Sequence, residues 1–389
     1  MPATILTGVT DDNVILSNRR VIDMDNVIAQ LEPDEAPLTT MLQKVSSRPA
    51  KSQKVEWLSD QLMPRLTTLN NGGAVSSGAT TFTVATGTGT YFRANDVLRM
   101  ATGENVKVSS VSTDTLTVVR SIGAVAAASI SDTTDVIKIG NASAEGATLG
   151  TIKSTKQTAW YNYCQIQRDP FGFTNTLIES DLYGGKEPEY EAKKKMIEHK
   201  RQIENTLFFG QRDLDTSGST PVGYCGGLVD FISSNITSSV GTLSQSGLET
   251  FLRSAFRYGS RNKVFFASPL IMSALASFPL GKLSPDSTGS NIKDWGVSLA
   301  TYRAGSGATI QIMEKRDWQD FSSSSNQVGG WGVLVDMDDV VMRPLRTTKL
   351  MPNRQANDED STKQEYLTEY SFQLGNEQNH AILKGVTGY

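Results

Sequence analysis

The sequence predicts an α+β fold, and three observations carry that prediction. Residues 186–211 hold one long helical pattern in a chain otherwise composed of short β runs. Residues from about 70 to about 146 present strand after strand with turn signals between them. The chain after the long helix then mixes apolar strand runs with helical ones. A length of 389 residues suits about two or three domains. A hydrophobic share of 38% and a charged share of 20% mark a folded chain rather than a disordered one.

The chain opens on a polar, acidic segment holding Asp11, Asp12, Asp23, Asp25, Glu32, Asp34 and Glu35, and a short helical stretch follows at 37–45. A segment of this kind finds few internal partners, so it is expected to be mobile or to dock on a neighbouring molecule. Lys54-Val55-Glu56-Trp57-Leu58 reads as a strand, and residues 159–166 read as its antiparallel return partner about a hundred residues later. Pairing of the two makes a ribbon with something carried between its strands. The intervening piece, about 70–146, has no Trp, His, Cys or Pro and is dominated by Thr, Ser, Ala, Gly and Val. Strands are expected at 81–84, 96–100, 105–108, 115–119 and 136–139, with turns at Asn95-Asp96, Thr102-Gly103 and Thr113-Asp114. This is the pattern of a small antiparallel β module. Sugar binding is the functional rival, but the aromatics it needs for stacking are scarce.

In the long helix, Pro188 suits the first turn, where a missing N–H removes no bond, and Gly210 is the stop. Tyr190, Met196, Ile197, Ile203, Leu207 and Phe208 form an apolar stripe. Lys193, Lys194, Lys195, Glu198, Lys200, Arg201 and Glu204 are assigned to a charged, solvated face. Such a helix runs roughly 35 Å, the width of a small domain. Beyond it, residues 263–267 read as a buried strand, and Ser268-Pro269 starts a helix with Ser as N-cap and Pro at the first position. Leu270, Ile271, Ala274, Leu275 and Phe278 are that helix's inner face. Further strands are expected at 309–313, 332–336, 340–344, 366–374 and 381–384.

Few residues are suited to catalysis or metal binding. The two histidines, His199 and His380, leave little for a histidine triad or a His-rich metal site. Gly185-Lys186 and Gly281-Lys282 are followed by Glu187 and Leu283, not by the Ser or Thr of a phosphate loop. Gly87-Thr88-Gly89 has Phe92 where a dinucleotide turn needs its third glycine. Asp213, Asp215, Ser217 and Gly218 imitate the start of a calcium loop, but Tyr224 stands where the bidentate Glu belongs, so a polar turn is expected. No cofactor, metal or catalytic role is assigned, and the chain is read as a non-enzyme. Cys164 and Cys225 make neither a disulfide framework nor a zinc site; they are expected to be buried thiols, with pairing between them left open. No signal peptide or run of about 20 apolar residues is visible, so a soluble protein made in a cytoplasm is expected. With a net charge of −4, any contact with nucleic acid must come from a local basic patch.

The order of parts resembles the major capsid proteins of tailed bacteriophages, whose fold is shared by herpesvirus capsid floors. Residues 36–42, APLTTML, followed by 54–60, KVEWLSD, look like the opening of a subfamily whose extended loop carries a β insertion. Residues 96–100 through Val119-Arg120, then Gly226-Gly227-Leu228 and the closing 376–381, NEQNHA, are similar too.

The resemblance implies an N-terminal arm and start of the peripheral domain at 1–48. It implies an extended loop at 49–168, with the inserted β module at about 70–146. A peripheral domain at 169–220 with a spine helix at about 186–211 follows, then an axial α/β domain at 221–335. Residues 336–389 return to the peripheral domain. The implied function is self-assembly into the icosahedral head shell of a virion in the host bacterial cytoplasm, around packaged double-stranded DNA. The implied partners are other copies in hexamers and pentamers, scaffolding, portal and decoration proteins, and DNA by weak non-specific contact, with no membrane. In that fold the spine helix lines the inner shell surface, which makes Lys193, Lys194, Lys200 and Arg201 a DNA-facing basic patch. The alternative for this run is that Glu191, Glu198 and Glu204 pair with the lysines at i,i+4. For the whole chain the alternatives are a phage tail, baseplate or adhesin β protein, and a hydrolase with a cryptic site.

Overall fold

The computed structural model of the chain describes residues 36–45, 47–180, 187–278, 283–285, 300–305, 307–320 and 328–388. The polar opening of the chain, up to residue 35, lies outside the described residues. The chain divides into two units, Met1–Trp57 with Trp160–Tyr389, and Leu58–Ala159.

Helix α1 (Pro37–Val45) starts on a proline and turns Leu38, Met41 and Leu42 inward at i, i+3, i+4 spacing. Strand β1 (Lys54–Ser59) alternates, with Val55 and Trp57 buried. Strands β2 (Leu66–Thr68), β3 (Thr81–Thr83), β4 (Asp96–Arg99), β5 (Asn105–Ser112), β6 (Thr115–Val119) and β7 (Asp135–Asn141) form one sheet, in the order β2-β7-β4-β5-β6-β3. Every neighbouring pair in it is antiparallel. Phe82, Leu98, Val106, Val108, Leu116, Val118 and Val136 line one face, and with Phe92, Met100 and Ile130 they make a core of this unit's own. Asn95, Gly103 and Thr113 have positive φ at the three turns expected from the sequence. The five expected runs appear as β3 to β7; β2 and the polar end of β5 were not anticipated.

Strand β8 (Thr158–Tyr163) pairs with β1. The expected return strand of 159–166 is thus split. Cys164 N still bonds Gln53 O at 2.7 Å, but from Gln165 the chain enters another sheet as β9 (Gln165–Thr174). Helices α2 (Asn175–Glu179) and α3 (Glu187–Phe209) follow, and the latter is the long helix of the sequence. Next come β10 (Asp213–Asp215), β11 (Val222–Tyr224), α4 (Leu228–Phe231), β12 (Ile236–Thr237), β13 (Gly241–Thr242), α5 (Gln245–Ala255), β14 (Asn262–Ala267) and α6 (Pro269–Ser277). The chain ends with β15 (Leu283–Pro285), β16 (Ala300–Arg303), β17 (Thr309–Glu314), β18 (Gly332–Val335), β19 (Val340–Met351), β20 (Ser361–Leu374), β21 (Ala381–Leu383) and β22 (Val386–Gly388).

Two sheets organise this unit. A mixed sheet runs β12-β21-β18-β14-β17-β16-β15, with β14 parallel to β17 and antiparallel to β18. Strand β14 is buried from Lys263 to Ala267 because both faces of the sheet are covered. Phe265 and Ala267 face a core built with α5 and α6, whereas Val264 and Phe266 face a second core shared with α1 and α3. The other sheet, β19-β20-β9, is antiparallel throughout and backs onto α3. Ser268 is the N-cap of α6 and Pro269 stands in its first turn, as expected, although the Ser268 hydroxyl makes no capping bond.

Candidate nucleic-acid interface and its supports

Helix α3 is positioned by the residues it buries: His199, Ile203, Glu204, Leu207 and Phe208. The assignment of Glu204 to the solvated face is therefore wrong. Its carboxylate is buried and accepts from Leu38 N at 3.0 Å, Thr39 N at 2.7 Å and Thr39 Oγ1 at 2.7 Å. These are first-turn amides of α1, which have no partner within their own helix. Lys315, also buried, brings its ammonium within 3.4 Å of Glu204 and within 3.3 Å of Asp317. An acid that looked like surface charge thus caps one helix from another.

His199 is likewise structural. Its Nδ1 meets Asp169 Oδ2, and its Nε2 lies 2.7 Å from Thr368 Oγ1 on β20. Gln167 Nε2 donates to His199 O at 3.1 Å, Gln202 Nε2 donates to Asp169 Oδ1 at 3.1 Å, and Tyr366 OH donates to Ala192 O at 3.2 Å. This network fastens α3 to the β9–β20 face and fixes which side of the helix looks outward.

Lys193 and Lys194 are exposed, and Lys200 and Arg201, one turn before buried Glu204, are half-buried. The four lie at a seven-residue interval in pairs, so Lys200 and Arg201 sit about 10 Å along the axis from Lys193 and Lys194 in nearly the same directions. The acids partly neutralise the helix cations at i,i+3 rather than at the expected i,i+4. Lys195 Nζ is 2.6 Å from Glu198, and Lys194 Nζ is 3.7 Å from Glu191. The hydrogen bond to Glu198 raises the Lys195 ammonium above its ordinary range. Sequence reasoning placed the four basic residues on one helix; of the three acids expected beside the lysines, Glu191 and Glu198 are there, at i,i+3, and Glu204 is turned inward.

The C-terminal end of α3 explains the Gly226-Gly227 pair. A Cβ on Gly227 would stand 2.5 Å from Thr206 O and 2.7 Å from Leu207 O, so only glycine lets the returning chain touch the helix end. Gly227 N donates to Gly210 O at 2.8 Å. Buried Asn162 on β8 joins this corner to β20: its Nδ2 donates to Gly226 O at 3.0 Å and to Phe372 O at 2.7 Å, and its Oδ1 accepts from Gly226 N at 2.8 Å. Cys164 and Cys225 are free and buried, and burial pushes their thiols up to about 11 and about 12. Both are inert at neutral pH.

The other flagged motifs resolve into turns. Asp215 Oδ1 accepts from Ser217 N at 2.8 Å in a polar turn beside β10. Gly87 N and Gly89 N donate to Asp114, a carboxylate of their own unit, at 2.9 and 3.0 Å. Two cationic features went unseen in the sequence. A cleft of about 370 Å³ in the β module is lined by Arg93, Lys138 and Lys153. There Lys138 pairs with buried Asp96 at 2.5 Å, and burial holds the Lys153 amine below its usual range. The sheet of β9, β19 and β20 carries Arg168 and Arg354 on Glu365, at 2.7 and 3.0 Å, and Arg346 on Glu369 at 2.6 Å. Both depend on strand register, which composition alone does not reveal.

Residues 5–387 match the family model described as SU10 major capsid protein. The major capsid protein of Pseudomonas phage PaMx41 is 28% identical over 207 residues, 53% of this chain and 49% of that protein. The match therefore spans about half the length of the curated relative. A solved structure from Mycobacterium phage Bobi superposes with a TM-score of 0.50 at 10% identity, covering 97% of this chain and 99% of its own. One from Mycobacterium phage Adephagia gives 0.50 at 8% identity, covering 97% and 98%. At such identities the likeness concerns the fold alone.

Proposed function

The chain belongs to the SU10 major capsid protein family, and from that premise we propose that it self-assembles into an icosahedral head shell around packaged double-stranded DNA. Its α+β fold is related to that of tailed-phage capsid proteins, and it is not an enzyme, since the family is a structural one. The observation that carries the reading is the family match over residues 5–387, which leaves no large part of the chain to another function.

Within this reading, residues 1–48 are the arm and the start of the peripheral domain. Residues 49–168 are the extended loop with its β module at about 70–146, and 169–220 form the peripheral domain with α3 as its spine. Residues 221–335 are the axial domain, and 336–389 return to the peripheral domain. The pairing of β1 with β8 and the separate core of the β module support the loop assignment. The partners are other copies in hexamers and pentamers, with scaffolding, portal and decoration proteins added in the host bacterial cytoplasm. Lys193, Lys194, Lys200 and Arg201 meet DNA phosphates without reading bases, a contact that weakens with salt.

Size-exclusion chromatography and electron microscopy of the purified chain test the reading. Shell fragments, capsomers or closed particles are expected. Stacked rings would place the chain in a tail, and a compact monomer at every concentration would remove the assembly claim.

A further inference from the structure

We propose that Asn71 and Gly72 form a self-modifying site, at which the Gly72 nitrogen attacks the Asn71 side-chain amide with Asp132 as general base. The immediate products are a cyclic succinimide and ammonia, and hydrolysis then leaves aspartate or isoaspartate at position 71. All the residues involved belong to the unit Leu58–Ala159, and the reaction does not depend on assembly.

The sequence supplies the reacting pair. Asn71-Gly72 is the one Asn-Gly step in the chain. Glycine carries no side chain to obstruct the approach of its nitrogen to the amide of the preceding residue. The bond it makes closes a five-membered ring through Cγ, Cβ, Cα and the carbonyl carbon of Asn71.

The fold supplies the base and the oxyanion donor. Asn71 N donates to Asp132 Oδ1 at 2.8 Å, and Gly72 N donates to Asp132 Oδ2 at 3.1 Å. A carboxylate oxygen therefore already holds the proton that the nucleophile must lose. From the other side Thr83 N donates to Asn71 Oδ1 at 2.6 Å. That bond strengthens as charge develops on the oxygen when Cγ becomes tetrahedral. The Gly72 N–H bond lies in the peptide plane and the attacking electrons lie above it, so Asp132 keeps its hold during the attack.

The parts are also held still. The loop is fixed at both ends, where buried Leu69 bridges to Val84 and buried Val75 bridges to Ile130. Asn70 N adds a bond to Thr83 O at 2.8 Å. Asp132 sits in a turn closed by Thr134 Oγ1 on Ser131 O at 2.8 Å and tied back to Leu69 O by Thr133 N at 3.2 Å. Nucleophile, base and oxyanion donor are thus placed before the reaction, and little further ordering is needed. Asn71 and Gly72 are exposed, so water enters and ammonia leaves freely.

In the first step the Gly72 N–Asn71 Cγ bond forms and Asp132 accepts the proton from Gly72 N. The tetrahedral carbon then expels Nδ2, which takes that proton from Asp132 and departs as ammonia. Water opens the ring at Cγ to give aspartate, or at the Asn71 backbone carbonyl to give isoaspartate. Either product sets a second carboxylate beside Asp132, and isoaspartate also lengthens the backbone by a methylene. Each subunit gains a negative charge with age, without a partner enzyme.

Incubation of the full chain in heavy-oxygen water tests this. Mass spectrometry reads the replacement of the amide nitrogen at position 71 by heavy oxygen, and fragmentation separates aspartate from isoaspartate. The same chain unfolded in guanidinium chloride gives the reference rate, free of Asp132. The folded chain is expected to react at least about tenfold faster than the unfolded one. Asp132→Asn is expected to remove that advantage, and Asp132→Glu to keep most of it. A folded chain that reacts no faster than the unfolded one would show that the hydrogen bonds lock Asn71 rather than activate it, and would overturn the proposal. That comparison needs no variant to fold. An Asp132→Asn variant with the parental folded rate would overturn it equally.

Discussion

Glu204 takes three hydrogen bonds from the start of α1 and faces the Lys315 ammonium, all out of contact with water. Removing one member of a buried pair leaves the other charge uncompensated, so Glu204→Ala should lower unfolding stability by about 3–5 kcal/mol. Glu204→Gln keeps one acceptor oxygen and should lose less. Denaturant unfolding followed by the fluorescence of Trp318, which packs on Phe208, reads both; equal stability of the alanine variant and the parent would refute the trans-capping role.

The signal for this role was present in the sequence. On a helical wheel position 204 falls inside the arc spanned by Ile203, Leu207 and Phe208, and charge alone suggested the outer face. His380 is a second residue with a measurable consequence. Burial, with a smaller opposing effect of Asp336, holds its imidazole down at about 3, where it accepts from Asp336 N. The unfolded chain binds the proton below about pH 6.5 and the native chain does not, so His380 destabilises the fold progressively as pH falls from about 6.5 toward 3. Between about pH 7.5 and 5 this should cost the parent about 2 kcal/mol more than it costs His380→Gln. Parallel pH profiles for the two proteins would rule that out.

At the scale of elements, the strands that sequence patterning shortened are those of the β9–β20–β19 sheet. Strand β19 continues through Leu345-Arg346-Thr347-Thr348-Lys349, and β20 begins at Ser361, because a long antiparallel ladder holds polar residues that no apolar alternation announces. Strand β9 contains Pro170 and β19 contains Pro344. Both are tolerated because β9 and β19 are edge strands of this sheet, and the register of β19 shifts just after Pro344. The long helix, in contrast, was legible almost to its ends, since its periodicity is uninterrupted between Pro188 and Gly210. Which of its charged residues are buried was not, since that depends on the His199 and Glu204 contacts. For the strip itself, Lys193→Gln, Lys194→Gln, Lys200→Gln and Arg201→Gln together should leave shell assembly intact and reduce the DNA retained after packaging, most at low salt and less as salt rises. Equal DNA content and equal salt sensitivity in variant and parent would mean these residues serve only the helix's own charge balance.

For the whole molecule, the question is whether the unit Leu58–Ala159 is needed for folding or for assembly. It has its own six-stranded sheet and its own core, and buried Glu104 illustrates how completely it is satisfied from within. Burial alone would raise that carboxyl, yet Arg120, bonded through Nε at 3.0 Å and through Nη2 at 2.5 Å, and Ser121 N at 2.9 Å hold it below the usual range. Arg120 also donates to Ser76 O, Ser77 O and Ala128 O, tying two separate loops to one guanidinium. The cores of the remaining unit draw no residue from this module apart from the strands that lead into and out of it. Since β2 pairs with β7, a cut at 70–146 would strand β2; the replacement should instead remove residues 61–156 and join β1 to β8 through a short Gly/Ser turn. Shortening a loop whose ends are already paired changes closure entropy little, so the variant should fold with the same tryptophan fluorescence as the parent. If the module acts between copies, its shells should melt at lower temperature or vary in diameter, as seen by calorimetry and electron microscopy. Particles matching the parent in melting temperature and diameter would show that the module contributes nothing to the shell, and a variant that cannot fold would show that the module serves the subunit's own stability.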